Sequence, residues 1–243
     1  MIELLDNSLV ISFPEVHDSA VLRIDFQRTL RIPDDGNTYY LPPGLGEFPL
    51  HHVDDYSGRV PAEWSEHGGV MFPMYQSEAM WINFRPNYNL ERDIHYPFAV
   101  KIATGKVNTL SGEEWSEWLH CRPQNYVVVP EQPWLDGYCV KEGVIRQFVA
   151  MPLGSSYSAE EQITGKAENG GLQLEVYPMK KDIFEKRFPP REKALHFYLA
   201  EPKRCYSAEE DSMSFAPGGQ MGQHVYKDPY ELADWDDNHT SRC

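Results

Sequence analysis

The stretch from Asn125 to Gly154 constrains the fold most, because its apolar residues come in short β-branched runs, each stopped by Pro or Gly. Tyr126 to Val129 is closed by Pro130. The insert Glu131-Gln132-Pro133-Trp134-Leu135-Asp136-Gly137 follows, and then Tyr138 to Val140 and Val144 to Met151 flank Lys141-Glu142-Gly143. Val, Ile, Tyr and Phe fit a pleated, half-buried surface, and Gly and Pro fall where turns are needed. The stretch predicts the central meander of a β core, with Val128 and Phe148 buried together. Glu131, Trp134 and Asp136 are then displayed on one loop.

The pattern recurs along the chain. Ser8 to Phe13 alternates and ends at Pro14; Leu22, Ile24 and Phe26 alternate with Arg23, Asp25 and Gln27. The phase is lost at Arg28-Thr29, which predicts a bulge or bend. Gly69 to Tyr75 and Ala79 to Phe84 predict paired strands, Pro97 to Leu110 a hairpin, and Gly171 to Met179 a further strand. Short helices are predicted near Pro61, from Ser111, from the capping-box pattern Ser158-Ala159-Glu160-Glu161, over Lys180 to Phe188, and from Asp228-Pro229. Ala194 to Leu199 predicts one more strand, and Ala216-Pro217-Gly218-Gly219 a turn. The fold class is therefore mainly β, at the margin of α+β: a β-sandwich or distorted barrel of about nine strands. Residues 1–200 make one β-rich domain, and 201–243 form a polar, loosely structured C-terminal extension.

A net charge of −15 excludes general binding to nucleic acid or anionic membranes. No segment approaches the run of ~20 apolar residues that spans a membrane. The start Met-Ile-Glu-Leu-Leu-Asp-Asn lacks a signal-peptide pattern, so the four scattered cysteines read as reduced thiols in the cytoplasm. The 13% of aromatic residues are expected in the core and its rim; on loops they would serve sugar or partner recognition.

Two clusters carry chemistry. In His51-His52-Val53-Asp54-Asp55 an extended backbone would set His52 and Asp54 on one face and His51, Val53 and Asp55 on the other; His51, His52 and Asp54 are the candidate metal ligands. A third ligand at a recognised spacing is missing, so no metal and no cofactor is expected. Glu131 and Asp136 are candidate catalytic carboxylates of the kind that cleave glycosides, with Trp134 as a sugar-stacking platform. The bland readings are solvent-facing loop residues for the first cluster, and a turn with a core-plugging Trp for the second.

The segments VVVPEQPWLDG…GVIRQFVAMPLG, EEQITG, GGLQLEVYPMK and APGGQMGQ…YKDPYELADWD resemble a family of bacterial and fungal hypothetical proteins. The resemblance covers most of the chain and implies no activity, cofactor or site residue. It does imply a further apolar segment after Trp235, and so a shortened chain able to self-associate there. The reading favours a binding or structural domain with a protein or glycan ligand. The alternative is a metal- or carboxylate-dependent hydrolase acting on a glycan or small molecule.

Overall fold

Alternating strands dominate the chain in the computed structural model, which describes residues 1–166, 168–191 and 213–243. β1 (Ile2–Leu5), β2 (Ser8–Ser12) and β3 (Val21–Thr29) run as antiparallel neighbours. The predicted bulge is present: the register of β3 shifts between Gln27 and Thr29. Short pieces follow, namely β4 (Thr38–Tyr39), β5 (Gly44–Glu47), β6 (His51–His52) and β7 (Val70–Met71), with α1 (Ala62–His67) between the last two. The strand expected over Gly69 to Tyr75 is thus cut to β7, which pairs with β6 and not with the following strand.

β8 (Ala79–Pro86) returns to the sheet; β9 (Tyr88–Asn89) and β10 (Ile94–His95) make a small ribbon. β11 (Phe98–Thr104) and β12 (Val107–Asn108) form the predicted hairpin. The helix expected from Ser111 is absent. Asn108 Oδ1 takes the amides of Leu110 and Ser111, and Ser111 Oγ takes that of Glu113, so local side chains compete with the helical ladder.

β13 (Tyr126–Val129), β14 (Trp134–Leu135), β15 (Gly137–Lys141) and β16 (Val144–Pro152) cover the stretch read as one meander. They do not lie in one sheet. β13 pairs with β11, whereas β14 pairs with β8 and β15 with β16. Residues 130–133 therefore carry the chain from one layer to the other. α2 (Ala159–Thr164) has the predicted capping box at Ser158. β17 (Leu172–Pro178) and α3 (Lys181–Arg187) also follow expectation.

The strand predicted over Ala194 to Leu199 and the boundary at 200 lie outside the described residues. From 213 onward the chain differs from the loose extension expected. β18 (Met213–Gly222) joins the main sheet, and β19 (Ser241–Arg242) the second. The turn expected at Gly218-Gly219 is instead part of β18. A Cβ on Gly219 would lie 2.2 Å from the Pro33 carbonyl oxygen, so the glycine admits a close backbone approach. The helix expected from Asp228 is a single 3-10 turn, Leu232–Asp234, because both Asp228 oxygens accept bonds from Tyr126, Trp235 and the Tyr230 amide. Trp235 is 2% exposed, between Tyr126 and Tyr230.

The main sheet runs β1-β2-β3-β8-β16-β18-β4, with β5, β14 and β15 as side branches; the second runs β12-β11-β17-β19 with β13 beside β11. Neither closes on itself, so of the two sequence alternatives the layered, sandwich-like one holds. Leu22, Ile24, Phe26, Ile82 and Phe84 meet Phe98, Val100, Ile102, Val127 and Val176 in one core, which includes Val128 and Phe148 as expected. Among the described residues no helix is long and apolar enough to cross a membrane. Phe148 is fully buried against Tyr138, so Phe148→Ala is expected to destabilise the fold by about 3–5 kcal/mol in urea unfolding. A midpoint equal to the parent's would remove Phe148 from the centre of the core.

Candidate ligand-binding face

Alternation in β3 and β8 sends the Leu22 and Ile82 sets inward, and Arg23, Asp25, Gln27, Trp81, Asn83 and Arg85 to the outer face of the main sheet. The antiparallel register places Arg23 opposite Arg85, Asp25 opposite Asn83 and Gln27 opposite Trp81. β14 extends the second of these pairs, with Trp134 opposite Asn83. A lateral row Asp25–Asn83–Trp134 thus crosses three strands, with Trp81 on its diagonal. β5 adds Glu47 opposite Gln27.

The centre of the row is a carboxylate held by donors. Asp25 is fully buried, and accepts from Arg85 at 2.6 Å, from Asn83 at 3.1 Å and from Gln27. Arg85 also donates to Ser8 Oγ at 3.2 Å and approaches Glu47 at 3.8 Å, yet its buried Nε has no hydrogen-bond partner. Its side chain is 39% exposed and Trp134 is 38% exposed. The face therefore presents an indole, an amide and a guanidinium, organised from below by a carboxylate.

Trp134 stands half-exposed at the start of β14. Asp136, two residues on, is 3% exposed: its amide bonds Gln223 Oε1 at 3.0 Å and its Oδ2 takes Gln223 Nε2 at 2.8 Å. Burial pushes the Asp136 carboxyl up to about 7, against the lowering effect of bonds from the Trp134 and Gln223 side chains. Glu131 points to a different partner. Its Oε1 accepts from the Tyr230 hydroxyl at 3.2 Å, its Oε2 is buried without a partner, and burial raises its carboxyl. Two carboxyls five positions apart thus bond to separate parts of the fold.

The histidine cluster is elsewhere. β6 ends at His52 and a 3-10 turn begins at Val53, so the extended alternation that would align His52 with Asp54 stops between them. His51 packs edge-on against Tyr56, while His52 and Asp54 are exposed. Among the described residues no three His, Cys, Asp or Glu side chains converge as a metal site would need.

Asp25, Asn83, Arg85 and Trp81 escaped the sequence reading as a site. Their signal was the polar half of two alternating strands, which is also what an ordinary solvent face looks like. No protein-family model, no curated protein and no solved structure matches the chain.

The buried Asp136 carboxyl generates a pH dependence. Between 3.8, its ordinary value, and about 7 in the folded state, the native protein holds a proton that the unfolded chain has lost. Native stability therefore falls as pH rises through that window and is level above it. Asp136→Asn is expected to match the parent near pH ~4 and to exceed it by on the order of 2–4 kcal/mol near pH ~8. Urea unfolding at the two pH values measures this; a difference independent of pH would assign the proton to another group.

Proposed function

We propose that the protein binds a glycan on the outer face of its main sheet. The observation that carries this reading is the register that sets the half-exposed Trp134 beside Asn83 and the Asp25–Arg85 pair, with Trp81 on the diagonal. An indole offers a flat apolar face for the C–H side of a sugar ring. The hydroxyls at the ring edge need donors and acceptors at fixed places, and Asn83 and Arg85 supply them. Because Asp25 holds both, their geometry is set before a ligand arrives, which lowers the entropy cost of binding.

A hydrolase built on Glu131 and Asp136 is the second reading, favoured by the Asp136 carboxyl, raised to about 7, since a protonated carboxyl is the form a general acid uses; burial raises Glu131 as well. Against it, Asp136 is 3% exposed and held by Gln223, which leaves little access for a sugar. Binding is the better supported of the two.

A glycan array followed by calorimetry with the oligosaccharides that bind tests the proposal. Trp134→Ala is expected to weaken binding about tenfold or more, as loss of an aromatic anchor does, with the melting temperature unchanged. An array without a single reproducible ligand, or full affinity in Trp134→Ala, overturns it. Release of new reducing ends from the bound oligosaccharide would favour the hydrolase.

A further inference from the structure

A cleft of about 520 Å³ opens between residues 121–126 and 227–232, and shares no lining residue with the Trp134 row. Its walls are stitched together by side chains. Gln124 Oε1 accepts the Asp228 amide at 2.9 Å, and Gln124 Nε2 donates to the carbonyls of Tyr126 at 2.8 Å and Tyr226 at 3.0 Å. The Tyr126 hydroxyl donates to Asp228 Oδ2 at 2.5 Å, and the Trp235 indole reaches the same oxygen at 2.9 Å. The cleft is therefore built before any ligand enters it, and its size is that of a small-molecule site.

The charges lining it are not equally available. Asp228 uses both oxygens inside the wall, since Oδ1 takes the Tyr230 amide at 2.7 Å. The Glu231 carboxylate accepts from the backbone of the Leu232–Asp234 turn. Arg122 and Lys227 line the same cavity, are exposed, and have no ion-pair partner among the described residues. In a chain of net charge −15, two free cations at one preformed cleft stand out as a place for negative charge. Both acids keep their charge but are tied into the wall by the hydrogen bonds they accept, whereas the two cations are free to turn toward a ligand. The Tyr230 ring and Leu232 add apolar surface beside them.

We infer that this cleft binds a small organic anion, a carboxylate or phosphate ester with a ring-sized apolar body, gripped by Arg122 and Lys227. Guanidinium and ammonium groups form charge-assisted bonds to either oxyanion, and Arg122 can do so with two parallel N–H groups. The site does not depend on the glycan reading, because none of its residues lies on the sheet face.

Calorimetry with phenyl phosphate, benzoate and neutral benzyl alcohol tests it, with Arg122→Gln, Lys227→Gln and Trp134→Ala as variants. Both substituted cations are exposed, so the folded state is expected to survive, and melting curves check this. The expected result is binding of at least one anion, no binding of benzyl alcohol, and a loss of about tenfold in each cation variant. Trp134→Ala is expected to bind the anion as the parent does, which separates this site from the sheet face. Whether phenyl phosphate or benzoate binds more tightly identifies the oxyanion. Lack of binding by both anions up to about 10 mM, equal binding of benzyl alcohol, or full affinity in the two cation variants overturns the inference.

Discussion

The second sheet is organised around a buried ion pair. Lys101, on β11, is fully buried, and its Nζ lies 2.7 Å from Glu175 Oε2 on the neighbouring strand β17. Register places Tyr126, Lys101, Glu175 and Arg242 in one line across four strands. Arg242 bonds the other Glu175 oxygen at 2.6 Å and reaches Glu117 at 2.5 Å. Residues after β12 form the roof: the ammonium sits 4.2 Å from the Trp115 ring centre and donates to the Ser116 carbonyl at 2.5 Å. Burial drives the Lys101 ammonium below its ordinary value, and Glu175 opposes that shift. Such a pair contributes modestly to net stability, but loss of one partner strands a charge in the interior. Its larger effect is on register. A slip of one residue would turn Lys101 into the apolar core between the sheets, so the alignment of β11 with β17 is strongly specified.

That pair also explains why the loop after β12 is not a helix. Trp115 and Trp118 are spaced as on one helical face, and the acidic residues after Ser111 suit a first turn. Yet the tertiary demand is for Trp115 and a bare carbonyl at Ser116 to cover one ammonium, and Asn108 supplies the local bonds that release the backbone from helical form. Local propensity is a weak prior wherever a buried charge needs a lid.

Elements whose information is local were legible. The alternation of β3, β11 and β17, the bulge near Arg28 and the Ser158 capping box each depend on residues within a few positions of one another. What was not legible is which strands share a layer. Nothing between Asn125 and Gly154 announces that β13 leaves for the second sheet while β14 to β16 stay in the first. The candidate site divides in the same way. Trp134 stood out because a large aromatic among Pro, Asp and Gly is conspicuous by itself. Asn83 and Asp25 are 58 positions apart, and only the β3–β8 register brings the amide to the carboxylate. Glu131 and Asp136 illustrate the converse, since closeness in sequence did not make them partners in space.

The pairing of β18 with β4, Gln220 opposite Thr38 and Met221 opposite Tyr39, is the one parallel pairing among the described strands of the main sheet, and it joins two short-range neighbourhoods separated by most of the chain. β18 meanwhile lies along the whole length of β16. During synthesis, the edge of β16 that β18 will cover stays bare until residues 213–222 have left the ribosome. The nascent chain must carry that unpaired edge, and closing so long a loop is slow. A sheet completed by a strand from so far along the chain passes through an intermediate with an exposed edge, and that edge is where off-pathway pairing begins.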